Sequence, residues 1–145
     1  MPKPLWVTGL AVVLLGGLAW AQAQPPKKKS AEGARVYIIS PKNGDTVSGT
    51  FTVQFGLKGM GVAPAAADVA NTGHHHLLID VDKLPDFNVP LVATEKNIMH
   101  FGAGQTEAEL TLAPGRHTLQ LVFADFMHIP HDKPLVSEKI TITVK

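Results

Sequence analysis

Beyond position 35 the apolar residues come either in alternation with polar ones or in runs of a few residues, each bounded by Gly, Pro, Asn or Asp. No stretch carries the three-and-four spacing of an amphipathic helix over a useful length, so the pattern specifies strands. Val36 to Ser40 is the first, followed by a turn at Pro41-Lys42-Asn43-Gly44-Asp45, where the Asn-Gly pair accepts positive φ. Phe51, Val53, Phe55 and Leu57 then alternate with Thr52, Gln54, Gly56 and Lys58, which predicts a half-buried strand. Further strands are expected over His74 to Val81, Thr106 to Leu112, His117 to Ala124 and Val136 to Val144, with a weaker one over Ile98 to Phe101. Only Pro64 to Ala70 has room for a helical turn. Six or seven short strands at regular spacing predict an all-β, immunoglobulin-like antiparallel sandwich.

The chain of 145 residues contains no cysteine. Such a domain must be held by apolar packing alone, and a metal site in it must be built from His, Met and carboxylates. The first residues carry Lys3, an apolar segment from Val7 to Trp20 and the small residues Ala21 and Ala23, the layout of an export signal too short to span a membrane. Residues 1–23 are therefore expected to be a signal peptide, residues 24–34 a disordered linker rich in Pro and Lys, and residues 35–145 the folded domain. The mature protein is expected in the periplasm or outside the cell, monomeric and without an integral membrane span. Lys and Arg number 13 against 12 Asp and Glu. That balance, with no basic stripe, argues against a nucleic-acid partner.

Several segments are longer and more specific than composition explains. They are Gly59-Met60-Gly61-Val62-Ala63-Pro64, Asn71 to Asp80 with three consecutive histidines, His100-Phe101-Gly102, Pro114 to Leu121, and His128-Ile129-Pro130-His131-Asp132. Together they resemble the bacterial family DUF4399, a domain of unknown function. The resemblance implies exported proteins with an immunoglobulin-like sandwich, and it carries over no established activity.

The residues that point to chemistry are seven histidines and the methionines after Met1, and they are clumped. Met60 precedes His74, His75 and His76; Met99 adjoins His100; Met127 adjoins His128; His131 follows. In immunoglobulin order these clumps fall at one rim of the sandwich. Strand alternation places His74 and His76 on one face and His75 on the other with Leu77. His117 stands apart at the opposite end, with the parity of Leu119 and Leu121, and is expected to bond back to the upstream backbone as a corner tyrosine does in such folds.

Neutral imidazoles are the commonest ligands for zinc, copper and nickel, and thioethers shift the preference toward copper. The expectation is a binding domain for a transition metal, copper first and zinc second. Its candidate ligands are His74, His76, His100, His128, His131, Met60, Met99 and Met127. The competing expectation is a network in which the histidines bond to loop backbone and to Asp80, Asp125 or Asp132, bracing a domain that docks an envelope protein. A copper-zinc superoxide dismutase-like enzyme is a third possibility, weakened by the missing cysteine and the absence of a recognisable zinc loop. No hydrolase motif is present, so the chain is expected not to be an enzyme.

Overall fold

A computed structural model describes residues 26–91 and 97–145. The expected signal peptide, residues 1–23, lies outside the described residues. Ten strands follow in order: β1 (Arg35–Ser40), β2 (Thr46–Val47), β3 (Thr50–Lys58), β4 (Gly61–Val62), β5 (Thr72–Ile79), β6 (Ile98–His100), β7 (Glu107–Thr111), β8 (Gly115–Ala124), β9 (Pro130–Val136) and β10 (Ile140–Val144). Among the described residues no helix forms, and none is long and apolar enough to cross a membrane.

Two sheets result. The smaller has the order β1-β3-β7, and the larger runs β2-β10-β8-β5-β4, with β6 on β5 and β9 on β8. Without the short strands and β9, the pairing is β1-β3-β7 facing β10-β8-β5. That matches the immunoglobulin arrangement, with β1, β3 and β7 in the places of strands A, B and E and β5, β8 and β10 in those of C, F and G.

The alternation in β3 sends Val53 and Phe55 into the space between the sheets, where they meet Leu77, Leu119, Leu121, Phe123 and Ile142. A second, smaller cluster lies on the outer face of the larger sheet. It joins Leu78, Ile98, Val122 and Ala124 to Leu91, which comes from the long segment after β5. For this reason β5 is buried on both faces along most of its length. A strand with one wet face would not carry such a run.

The turn after β1 is closed as its residues suggest: Gly44 has φ 88°, the Asp45 carboxylate accepts from Lys42 N at 2.7 Å, and Asn43 Oδ1 accepts from Thr141 N at 2.9 Å.

Two stretches differ from their sequence reading. The closing strand expected over Val136 to Val144 is two strands, because Ser137 breaks it. Its Oγ takes the Leu121 N–H at 2.8 Å, and β9 then continues the ladder beside the far half of β8. The linker expected to be disordered is held from Lys28 on. Asp132 N donates to Lys28 O at 2.8 Å, Ser30 N donates to Asp132 O at 3.0 Å, and Lys28 Nζ pairs with Asp68 at 2.6 Å. Backbone bonds and an ion pair do the holding there, which a composition without large apolar residues does not reveal.

Candidate metal centre

Strand β5 positions the first two imidazoles. His74 lies opposite Ala124 of β8, and His76 lies opposite Val122 of β8 and His100 of β6. Paired residues share a face, so His74, His76 and His100 all stand on the outer face of the larger sheet, above the small side chains of Ala124 and Val122. Gly73 lets β5 approach β8 this closely: a Cβ there would lie 2.2 Å from Ala124 O.

A fourth imidazole arrives from the turn between β8 and β9. Asp125 N donates to Ile129 O, and Asp125 Oδ1 accepts from Met127 N at 2.9 Å and Ile129 N at 3.0 Å. The Asp125 carbonyl takes His128 N at 2.9 Å, and His128 O accepts from Leu91 N at 2.8 Å. The turn is thereby wound tightly enough to hold His128 at φ 67° and fold its ring over the sheet.

All six pairs among the four rings are close, with centroid separations from 4.7 to 5.9 Å. His74, His76 and His100 each offer a nitrogen within 4.8 Å of those of the other two. His128 Nε2 is 3.1 Å from His100 Nε2. An ion about 2.05 Å from a ring nitrogen lies about 3.2 Å from the ring centroid, so rings around a tetrahedral ion stand about 5.2 Å apart. Around a square-planar ion they would alternate between about 4.5 and about 6.4 Å, the longer values falling on opposite pairs. If His76 and His128, at 5.9 Å, formed one diagonal, His74 and His100 would be the other, and they are 4.9 Å apart. The arrangement is closer to a tetrahedron.

The electrostatics agree with a ligand set. His74 and His76 are 0% exposed, and neither ring nitrogen of either residue has a hydrogen-bond partner. Leaving a buried polar atom unpaired costs about 1–3 kcal/mol. One N–H shared between His100 and His128 accounts for that pair, but it supplies nothing to His74 and His76. Burial, followed by the neighbouring imidazoles, pushes His74 down to about 4 and His76 to about 2. His100 is lowered by burial and by His128. Rings held neutral keep their lone pairs for a cation, so protons compete weakly for the site at neutral pH.

The other candidates go elsewhere. His131 is buried in β9 with its ring stacked on Phe123 at 5.9 Å, and it has no ring contact with the four. Burial lowers its pKa too. Met60 packs against the core between the sheets. Met99 pairs in register with Leu77, which puts it on the opposite face of β6 from His100, and it is 36% exposed; Met127 is 40% exposed. The site therefore lies on the outer face of the larger sheet rather than at the loop rim. It gathers four imidazoles and none of the three methionines.

His75 turns into the core between Phe55 and Phe123, 5.1 Å from each ring, where burial pushes it down to about 4. His117 bonds back to the backbone as expected, with Nε2 2.8 Å from Ala113 O and Nδ1 2.7 Å from the Asp80 carboxylate. Both partners are acceptors, so the ring donates twice as an imidazolium, and the Asp80 and Ala113 bonds raise its pKa.

Sequence reasoning missed two residues that shape the site. Gly102 leaves space for the His100 ring: a Cβ would lie 2.2 Å from His100 Cε1 and 2.5 Å from Nε2. Asp125 appeared only as a bracing carboxylate, yet it winds the turn that presents His128. The signal for Gly102 was its place two residues after a candidate ligand, where a missing side chain can mean close approach.

A family model described as Domain of unknown function (DUF4399) matches residues 53–145. No curated protein matches the chain. Among solved structures, a fibronectin(III)-like module of Clostridium thermocellum CbhA is similar over 75% of this chain and 92% of that module, at 12% identity and a TM-score of 0.38.

Proposed function

We propose that this chain, which belongs to the DUF4399 family, is an exported binding domain that holds one transition-metal ion on His74, His76, His100 and His128. The observation that carries the reading is the set of four unpartnered nitrogens on the wholly buried His74 and His76, facing two further imidazoles. A hydrogen-bond network would have supplied those nitrogens with acceptors or donors. A cation satisfies one nitrogen of each ring, the one whose lone pair a neutral imidazole keeps free.

The donor set also bears on which ion is held. With the methionines directed elsewhere, the thioether argument for copper loses its support. Four neutral imidazoles in a near-tetrahedral arrangement suit zinc, which has no geometric preference from its d electrons, and cuprous copper second for the same reason. Cupric copper and nickel favour tetragonal sites. Four protein ligands on one ion would make a closed shell, which suits holding the ion better than catalysis. Export follows from the signal-like residues 1–23 and puts the domain in the periplasm or beyond.

The test is titration of the chelator-stripped protein with zinc, cuprous and cupric ions against competing chelators of known affinity. The expected result is one site of submicromolar affinity for zinc or cuprous ion. X-ray absorption on the loaded protein should give four nitrogen ligands at about 2.0–2.1 Å for zinc. Absence of saturable binding by any of the three ions would refute the reading.

A further inference from the structure

The four imidazoles are not held alike. His74, His76 and His100 sit on β5 and β6, within hydrogen-bonded ladders whose register sets their spacing. These three alone satisfy the mutual approach of ligand atoms within 4.8 Å. His128 comes from a short turn, in a left-handed backbone conformation that a residue with a Cβ occupies at some strain. His74 and His76 are fully buried, whereas His128 is partly exposed. Three ligands are thus fixed by strand register, two of them out of reach of solvent, and the fourth, partly exposed like His100, comes from a turn outside the ladders.

We infer that His128 is the exchangeable ligand of this centre, and that its departure opens one coordination position to an incoming monodentate donor, an imidazole or a small anion. The inference rests on the metal reading and deepens it, since three fixed ligands with one replaceable position are the arrangement of a site that passes its ion on or binds a further ligand. Exchange forms one bond from the incoming donor's lone pair to the ion and breaks the one from His128; no electrons change hands. The ion stays on β5 and β6 throughout.

The experiment uses Co2+ as a spectroscopic stand-in for zinc. It compares the parent protein with His128→Gly, a substitution suited to φ 67° that leaves a space the size of the lost ring, and with His128→Asn, which also tolerates that conformation. His74→Ala serves as the reference for loss of a fixed ligand, and thermal unfolding checks that each variant folds. Both His128 variants are expected to bind one Co2+ with affinity within about 100-fold of the parent. Their visible spectra should differ from the parent's and shift further when imidazole or azide is added, and imidazole should return His128→Gly toward the parent spectrum. Loss of Co2+ as complete as in His74→Ala, without recovery in imidazole, would overturn the inference by making His128 indispensable. A parent-like spectrum in both variants would overturn it by showing that His128 is not a ligand. Failure of the parent itself to bind Co2+ or Zn2+ would refute the metal reading, and the exchange with it.

Discussion

The strand pair β5 and β8 carries histidines at both ends, and the two ends treat the same side chain in opposite ways. At one end His117, near the start of β8, places each ring nitrogen on an acceptor, one from Asp80 just beyond β5 and one from Ala113. Asp80 also accepts from Thr118 N at 2.8 Å, so one carboxylate ties the strand, the corner and the ring together. At the other end His74, His76, His100 and His128 face one another, and no carboxylate among the described residues bonds to their rings. The first end gives both nitrogens of its ring an acceptor, and the second gives those of His74 and His76 none. An imidazole given acceptors becomes a cation that braces a corner, and one denied them keeps a lone pair for a cation from outside.

The contrast breaks most sharply when a fixed ligand is removed. His74→Ala is expected to abolish specific zinc binding. In the parent, zinc at 100 times its dissociation constant adds about 2.7 kcal/mol to unfolding stability, and the variant should show none of that increment in a thermal melt.

Acid comes next. His74, His75 and His76 have folded pKa values depressed to about 4, 4 and 2 from 6.5. The unfolded chain therefore takes up protons first as pH falls. The contribution of these three histidines to the stability of the metal-free protein should be flat above about pH 6.5 and should then drop toward pH 4, approaching about 1.4 kcal/mol per pH unit for each of them. Urea titrations across that range measure the slope, and a flat profile between pH 6.5 and 4 would contradict the buried neutral rings.

Gly102→Ala sharpens the comparison without removing a ligand. The added methyl displaces the His100 ring and is expected to weaken zinc binding about tenfold, equivalent to about 1.4 kcal/mol, with the fold retained. Unchanged affinity would mean that His100 is not held against Gly102.

The smallest effect belongs to the braced end. His117→Phe is expected to cost about 1 kcal/mol at pH 6 through its lost hydrogen bonds, and to leave zinc binding untouched. Because the pKa of His117 is raised on folding, its stabilisation is fully present below pH 6.5 and fades as pH rises through the folded value. Melts of parent and variant should therefore converge in alkaline solution.

Much of this molecule is a direct consequence of local pattern. Alternation in Phe51 to Leu57 and in Leu119 to Phe123 set which side chains enter the core, because a strand's period of two leaves them one face. The same period divided His74 and His76 from His75, and the isolation of His117 beside Pro114-Gly115 marked it as a corner residue. These are relations between neighbours along the chain, and they survive any choice of partner strand.

Tertiary structure decided what lies far apart in sequence and close in space. Registers between β5, β6 and β8 selected His100 as the partner of His76, and the Asp125 turn brought His128 over the sheet while leaving His131 stacked on Phe123. Clumping of Met99 and Met127 with histidines suggested a mixed donor set. Adjacent residues on a strand point to opposite faces, so proximity in sequence separated Met99 from the site instead of adding it. Ring spacing, loss of hydrogen-bond partners and burial arise only once the sheet's outer face is covered, and those three properties turn a histidine-rich sequence into a candidate metal centre.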